Sequence, residues 1–317
     1  MTTPLLFGPY GSAAIEYAAR FVEYGANAFW FHGFNQEAFE ICHKHQIAAC
    51  VEFKTFRADF KTRPELIPTG VDGKPIRYGD LVQGVCLSQA EFLQETKENL
   101  LDGLRSYQPA GIWLDYLTYA GWFETPDPDL QESCFCPGCI ANFCESTGID
   151  AELPTTILEN YSEEWTRQKC ERIAGFTAQY AKIIKSYLPD CIVGAYMCPW
   201  RPDEYAGALT RIFAQDYALM APAIDVFTPL IYVKKSGRSA EWGREFLTHA
   251  KDFIPSERKV QLILDALDFP DSLLDTAESH VPSWGFQMFG GAQIFDDPIK
   301  AEIFRTAVKK IQEKVTR

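Results

Sequence analysis

Residues 111–144 read GIWLDYLTYAGWFETPDPDLQESCFCPGCIANFC, and two features inside them decide the fold. Ile112, Trp113 and Leu114 form an apolar run between Gly111 and Asp115. Such a run, placed behind Pro109 and Gly111, predicts a strand covered on both faces, as in a parallel sheet. A carboxylate closing the strand stands where a (β/α)8 barrel keeps its reactive groups, at the carboxyl ends of its strands. The segment that follows is too long for an ordinary connection, and segments of that length are usually functional or disordered. It carries Cys134, Cys136 and Cys139 in Cys-x-Cys-x-x-Cys spacing. Three thiols this close, with a fourth from elsewhere, would complete a tetrahedral zinc site that orders the loop. Cys144 is within reach by sequence, and Cys86 lies ahead of the helix that leads into the strand.

Outward from this stretch, strand and helix patterns alternate without a linker. Apolar runs predict strands at Leu5–Gly8, Ala28–Phe31 (ending at His32 and Gly33) and Ile47–Phe53, with Glu52 near its end. Further strands are expected at Ile192–Met197, Ile224–Tyr232 and Val260–Leu267, the last with Asp265 and Asp268 near its end. Helices fill the intervals: Ser12–Tyr24 with Ser12 as its cap, Gln36–His45, Ser88–Tyr107 with Glu91 completing a capping box, Glu163–Tyr187, Ala208–Met220 and Ala240–Phe253. RPELIPTGVDGKPIRYGD, residues 63–80, reads as loop. The eighth strand falls at Gly285–Phe289 or Ala292–Phe295. The second is preferred, because Gly290 and Gly291 would end a helix ahead of it. Eight strands each followed by a helix make a single-domain (β/α)8 TIM barrel over residues 1–317, with long loops after strands three and four. A doubly wound open sheet is the rival, but no Gly-x-Gly-x-x-Gly follows the first strand.

Composition narrows the partners. A chain of 317 residues that is 47% hydrophobic can bury a large core. Its net charge of −13 argues against nucleic acid and anionic membranes, which select basic patches. No apolar run approaches the ~20 residues of a membrane span. MTTPLLFGPYGSAAIEYAAR does not read as a secretory signal, having no basic segment before a long apolar one. The ten cysteines include a trio with metal spacing, which favours a reducing, cytoplasmic setting over a disulfide framework. A homo-oligomer is left open.

CFCPGCIANF, residues 134–143, after a strand ending in a carboxylate, resembles the zinc loop of glycoside hydrolase family forty-two β-galactosidases. The layout is also similar to that of α-amylase-like glycosyl hydrolases, which share RPELIPTGVDGKPI-like text and the GIWLDY strand. The resemblance covers residues 63–150 most firmly and is architectural elsewhere. It implies a barrel with a structural Zn²⁺ held by Cys134, Cys136, Cys139 and, in GVCLSQAEF, Cys86. It also implies a carbohydrate substrate. The β-galactosidases carry an Asn-Glu pair at the end of strand four, with Glu as general acid. This chain has Leu114-Asp115-Tyr116 there, so their substrate is not carried over.

A glycosidase commonly needs two carboxyls flanking the scissile acetal, one to protonate the leaving oxygen and one to act as nucleophile or activate water. Asp115 is the first candidate, since a charged group ending an apolar strand must face solvent or a cleft. Asp265, ending strand seven across the barrel, is the second; Asp268 three residues later, Glu52 ending strand three, and Asp203 or Glu204 after strand five are the alternatives. His32, Glu52, Lys54, Tyr116, Tyr196, Trp200, Arg201, Tyr232 and Asp268 fall at strand ends. Aromatic faces there can stack on a sugar while Lys, Arg and His donate to its hydroxyls. The expected activity is hydrolysis of a small oligosaccharide or glycoside. Two alternatives stand beside it: a carbohydrate-binding barrel that has lost catalysis, and a zinc hydrolase. Four thiolates would fill the metal's coordination and leave no place for water, which disfavours the zinc hydrolase.

Overall fold

A computed structural model describes residues 4–77 and 84–316. Its strands are β1 (Leu6–Tyr10), β2 (Ala28–His32), β3 (Ala48–Lys54), β4 (Gly111–Asp115), β5 (Ile192–Met197), β6 (Val226–Ile231), β7 (Lys259–Val260), β8 (Leu262–Asp265) and β9 (Gly285–Phe289). The hydrogen-bonded order is β5-β4-β3-β2-β1-β9-β8-β6-β7, and a β5–β6 pairing closes the ring. Every pairing is parallel. Because β7 and β8 are two pieces of one barrel strand, both pairing with β6, the ring is an eight-stranded (β/α)8 barrel with helices outside. Among the described residues, no helix is long and apolar enough to cross a membrane.

The alternation of side chains along each strand sorts the core into two parts. One face packs on the helices: Phe29, Phe31, Val51, Ile112, Leu114, Val193, Leu264 and Met288 belong to the large outer cluster. The other fills the axis with Leu6, Trp30, Cys50, Trp113, Tyr196, Val226 and Ile263. Trp30 and Trp113 meet edge to face at 5.4 Å. Gly194 on β5 makes room for them, because a Cβ there would lie 2.4 Å from the Trp113 indole. The axis is therefore filled by side chains, and the residues that close the strands at their carboxyl ends face the barrel mouth, as this fold requires.

Several expectations need correction. The eighth strand is Gly285–Phe289, while Ala292–Phe295 lies within a 3₁₀ helix, Gly291–Asp296. Gly290, at φ 66°, ends a strand here and not a helix. Gly285, at φ 76°, passes so close to β1 that a Cβ would sit 1.8 Å from the Leu6 carbonyl oxygen, so glycine is required to start β9. Ile294 and Phe295 are apolar because they pack outward on the first helix, Phe295 meeting Phe21 at 4.6 Å. The first helical stretch is a 3₁₀ turn, Ser12–Tyr17, followed by an α-helix, Ala18–Glu23, with Gly11 at the cap position. The helix before β4 runs Ala90–Ser106 with Gln89 at its cap and no side-chain cap bond. Ser88 instead turns its hydroxyl to the cysteine sulfurs, 3.0 Å from Cys86 and 3.3 Å from Cys136. Ala208–Met220 is not one helix but two short ones, Ala208–Arg211 and Tyr217–Met220, broken at Ala214 with φ 56°.

Candidate active site and cysteine cluster

The barrel mouth opens into a cavity of about 340 Å³. Its floor follows from strand register: His32 pairs with Glu52, and Lys54 pairs with Asp115. Cys50, Glu52 and Lys54 alternate with outward residues along β3, so the carboxylate and the amine both point to the axis. Glu52, at 1% exposure, takes a hydrogen bond from His32 Nδ1 on one oxygen, and Lys54 Nζ stands 3.7 Å from the other. Burial opposes its charge, but His32 and Lys54 outweigh that and hold Glu52 below the ordinary carboxylate range. Asp115 lies diagonally across the β3–β4 pair from Glu52, and burial, reinforced by the Glu52 charge, pushes it well above that range. The two carboxyls are thus pushed in opposite directions, the pattern of close carboxyls that share a proton.

The backbone fixes Asp115 closely. Thr55 donates to the Asp115 carbonyl from both its amide (2.9 Å) and its hydroxyl (2.6 Å). Asp115 Oδ1 accepts from the Tyr116 amide at 2.8 Å, with Tyr116 at φ 58°. A bulky residue in the left-handed region marks a locally strained turn, and such turns gather at functional sites.

Of the strand-end residues singled out above, His32, Glu52, Lys54, Asp115, Tyr116, Tyr196 and Tyr232 line this cavity. Trp200, Arg201, Asp265 and Asp268 do not. Trp200 is buried beneath Tyr205, with ring centroids 4.1 Å apart, and Arg201 pairs with Asp203 at 3.5 Å. Asp265 caps the turn Ala266–Asp268, accepting from the Leu267 amide at 2.9 Å, and its other oxygen lies 3.1 Å from Lys235 Nζ. Asp268 accepts from the Lys234 amide at 3.0 Å. A carboxylate near a strand end can serve backbone donors as readily as a cleft, and periodicity does not tell the two apart.

Tyr10, Arg57, Trp122, Glu124 and Phe289 also line the cavity and were not among the expected residues. Tyr10 was lost by ending the first strand at Gly8, and Phe289 by preferring the later eighth strand. Arg57, over the Tyr116 ring at 5.2 Å, and Trp122 and Glu124 lie in loops where no periodicity marks them. Cys198 lines the cavity too, but burial raises its thiol well above the ordinary range, so it stays protonated.

Beside the cavity, Cys86, Cys134, Cys136 and Cys139 bring their sulfurs within 4.8 Å of one another. Cys86 lies 3.5, 3.9 and 3.7 Å from Cys136, Cys139 and Cys134 respectively. A tetrahedron with metal–sulfur bonds of about 2.3 Å has edges of about 3.8 Å, so the donor set fits a divalent metal such as zinc. Cys144 is outside the group, its sulfur 3.6 Å from the Ala151 carbonyl oxygen. The cluster joins three segments: the loop after β3, the loop after β4, and the helix Pro137–Thr147. Next to it Phe135 stacks on Trp165 at 4.8 Å. Glu132 is clamped between Lys169 at 3.0 Å and Arg211 at 2.9 Å.

The glycoside hydrolase domain of PgaB (BpsB) from Bordetella bronchiseptica superposes on 96% of this chain and 99% of its own, with a TM-score of 0.75 and 12% identity. The barrel is similar to those of glycoside hydrolases. A β-galactosidase from Halorubrum lacusprofundi gives a TM-score of 0.66 at 12% identity, over all of this chain and 58% of that one. One from Marinomonas ef1 gives 0.67 at 11% identity, over 97% and 59%. The chain thus spans little more than half the length of these β-galactosidases. At such identities the likeness is one of fold. No family model matches the chain, and no curated protein does.

Proposed function

We propose that the protein is a glycoside hydrolase acting on a small oligosaccharide or glycoside, with Asp115 as the proton donor. The observation that carries this reading is the pair on the cavity floor, a buried Glu52 braced by His32 and Lys54 with Asp115 beside it, the first drawn below and the second above the ordinary carboxylate range. A carboxyl that keeps its proton near neutral pH can pass it to the glycosidic oxygen as the bond to the anomeric carbon breaks. Glu52, braced by His32 and Lys54, then stabilises the positive charge that develops on the sugar ring. Tyr10, Tyr196, Tyr232 and Phe289 supply aromatic walls suited to the C–H faces of a pyranose, and Arg57 and Lys54 offer donors to its hydroxyls. The fold likeness to glycoside hydrolases supports the same class, at the level of architecture.

Cys86, Cys134, Cys136 and Cys139 would hold a structural zinc ion. Zinc there would supply no chemistry to the sugar; it would brace the loops that form one wall of the cavity. Ten cysteines, four of them grouped as metal ligands, suit a reducing compartment such as the cytoplasm.

The test is a panel of 4-nitrophenyl α- and β-glycosides with wild type and Asp115→Asn. Wild type should release nitrophenol from at least one glycoside. Asp115→Asn should lower that turnover by several orders of magnitude while still binding the sugar. Unchanged turnover in the variant would remove Asp115 from the mechanism. Sugar binding by wild type without any turnover would make the protein a carbohydrate-binding barrel instead.

A further inference from the structure

The pair on the floor fills only half of a glycosidase mechanism. Glu52 and Asp115 are diagonal neighbours on the paired strands β3 and β4, side by side on one floor, whereas the two working carboxyls of a glycosidase stand about 5 Å apart or more, with the substrate between them. The two therefore act as a single group. Among the described residues, the cavity lining holds one other carboxyl, Glu124, on the loop between β4 and the cysteine cluster.

We infer that Glu124 is the second carboxyl of the reaction, taking a proton from the attacking water, with Lys235 as its positioning residue. This rests on the glycoside hydrolase reading. Glu124 is 16% exposed, and Lys235 Nζ stands 3.7 Å from its Oε2. The same ammonium lies 3.1 Å from Asp265 Oδ2 and 4.4 Å from both the Tyr232 and Phe289 ring centroids. Two rings and two carboxylates thus fix the Lys235 head group, and with it the place of Glu124. Asp265 gains a role it lacked as a cavity residue: it anchors the lysine from β8.

The charged and titratable groups facing Glu124 are Lys235 and Asp265, together with the Tyr116 and Tyr232 phenols. Burial raises both phenols, and the Asp115 and Glu124 carboxyls add to the rise in each; the two carboxyls line the same cavity. Burial pushes Glu124 up to about 7, against the lowering by Lys235. A base with that affinity exchanges protons readily at neutral pH. The step balances: the bond from the anomeric carbon to the leaving oxygen breaks as Asp115 protonates that oxygen. Water forms the new bond to carbon and gives its proton to Glu124.

The experiment measures kcat/KM against pH for wild type, Glu124→Gln, Glu124→Asp, Asp265→Asn and Lys235→Met. It uses the 4-nitrophenyl glycoside that wild type hydrolyses best, with thermal melts to establish that each variant is folded. Wild type should lose activity as pH falls through about 7, because the base must be ionised. Glu124→Gln should lose roughly 10²–10⁴-fold and that acid limb with it. Glu124→Asp should retain an acid limb. Lys235→Met removes the charge that lowers Glu124, so its acid limb should move to higher pH. A folded Glu124→Gln with the wild-type rate and limb overturns the inference, as does an active Glu124→Gln beside a crippled Asp265→Asn. If wild type cleaves none of the glycosides, the hydrolase reading itself fails. An active wild type with an indifferent Glu124→Gln defeats this inference alone.

Discussion

Replacing Lys169 by methionine tests how the loop that forms the cavity wall is held. Lys169 is fully buried on the helix Ser162–Tyr187, and its ammonium donates to Glu132 Oε2 at 3.0 Å and to the Arg211 carbonyl at 2.5 Å. It also stands over the Tyr119 and Trp165 rings at 5.5 and 5.7 Å. Methionine fills the space but leaves Glu132, at 12% exposure, with Arg211 as its one charged partner among the described residues. Breaking a buried ion pair from one side costs about 3–5 kcal/mol, because the remaining charge stays desolvated. With an unfolding entropy of about 2.1 cal/mol/K per residue, a 317-residue chain shifts its midpoint by roughly 4–8 °C for that loss. Differential scanning calorimetry and urea unfolding measure it. The double variant Lys169→Met with Glu132→Gln should be less destabilised than the sum of the two single changes, since the carboxylate that lost one of its two cations is gone as well. A Lys169→Met protein within about 1 kcal/mol of wild type would refute the reasoning, because a lost buried pair cannot cost so little.

The remaining predictions concern the site. Elemental analysis of protein purified without chelator should find about one zinc per chain, lost in Cys86→Ser and kept in Cys144→Ser; the reverse pattern would overturn the ligand assignment. Glu52→Gln removes the charge that, after burial, does most to hold the proton on Asp115. Activity that needs a protonated Asp115 is lost as pH rises through its pKa, so the basic limb of kcat/KM should move to lower pH in this variant. A basic limb that stays in place would show that the two carboxyls are not coupled.

Much of this arrangement was written in the sequence. Alternation within GIWLD and AACVEFK already puts Trp113 and Asp115 on one face of their strand, and Cys50, Glu52 and Lys54 on one face of theirs, whichever neighbours those strands take. The Cys-x-Cys-x-x-Cys spacing is equally local, because three thiols on a turn leading into a helix converge without help from the rest of the chain. What periodicity cannot carry is register and the path of loops. Glu52 and Asp115 meet on the cavity floor because β3 and β4 pair with Lys54 against Asp115, a choice made by packing across the whole ring. Asp265 was legible as a strand-end carboxylate, but only the fold turns it to the Leu267 amide and Lys235 instead of the cavity. Gly290-Gly291 reads equally well as the end of a helix or of a strand until β1 and β8 are there to pair with Gly285–Phe289. Glu124 sits on a loop without repeat or pattern, and it reaches the site because Lys235 holds it and because Glu132 and the cysteines fix the loop farther along. Side-chain direction along a strand is set by neighbouring residues, whereas the meeting of two strands or the landing of a loop is set by contacts far apart in the chain, which leave no local mark.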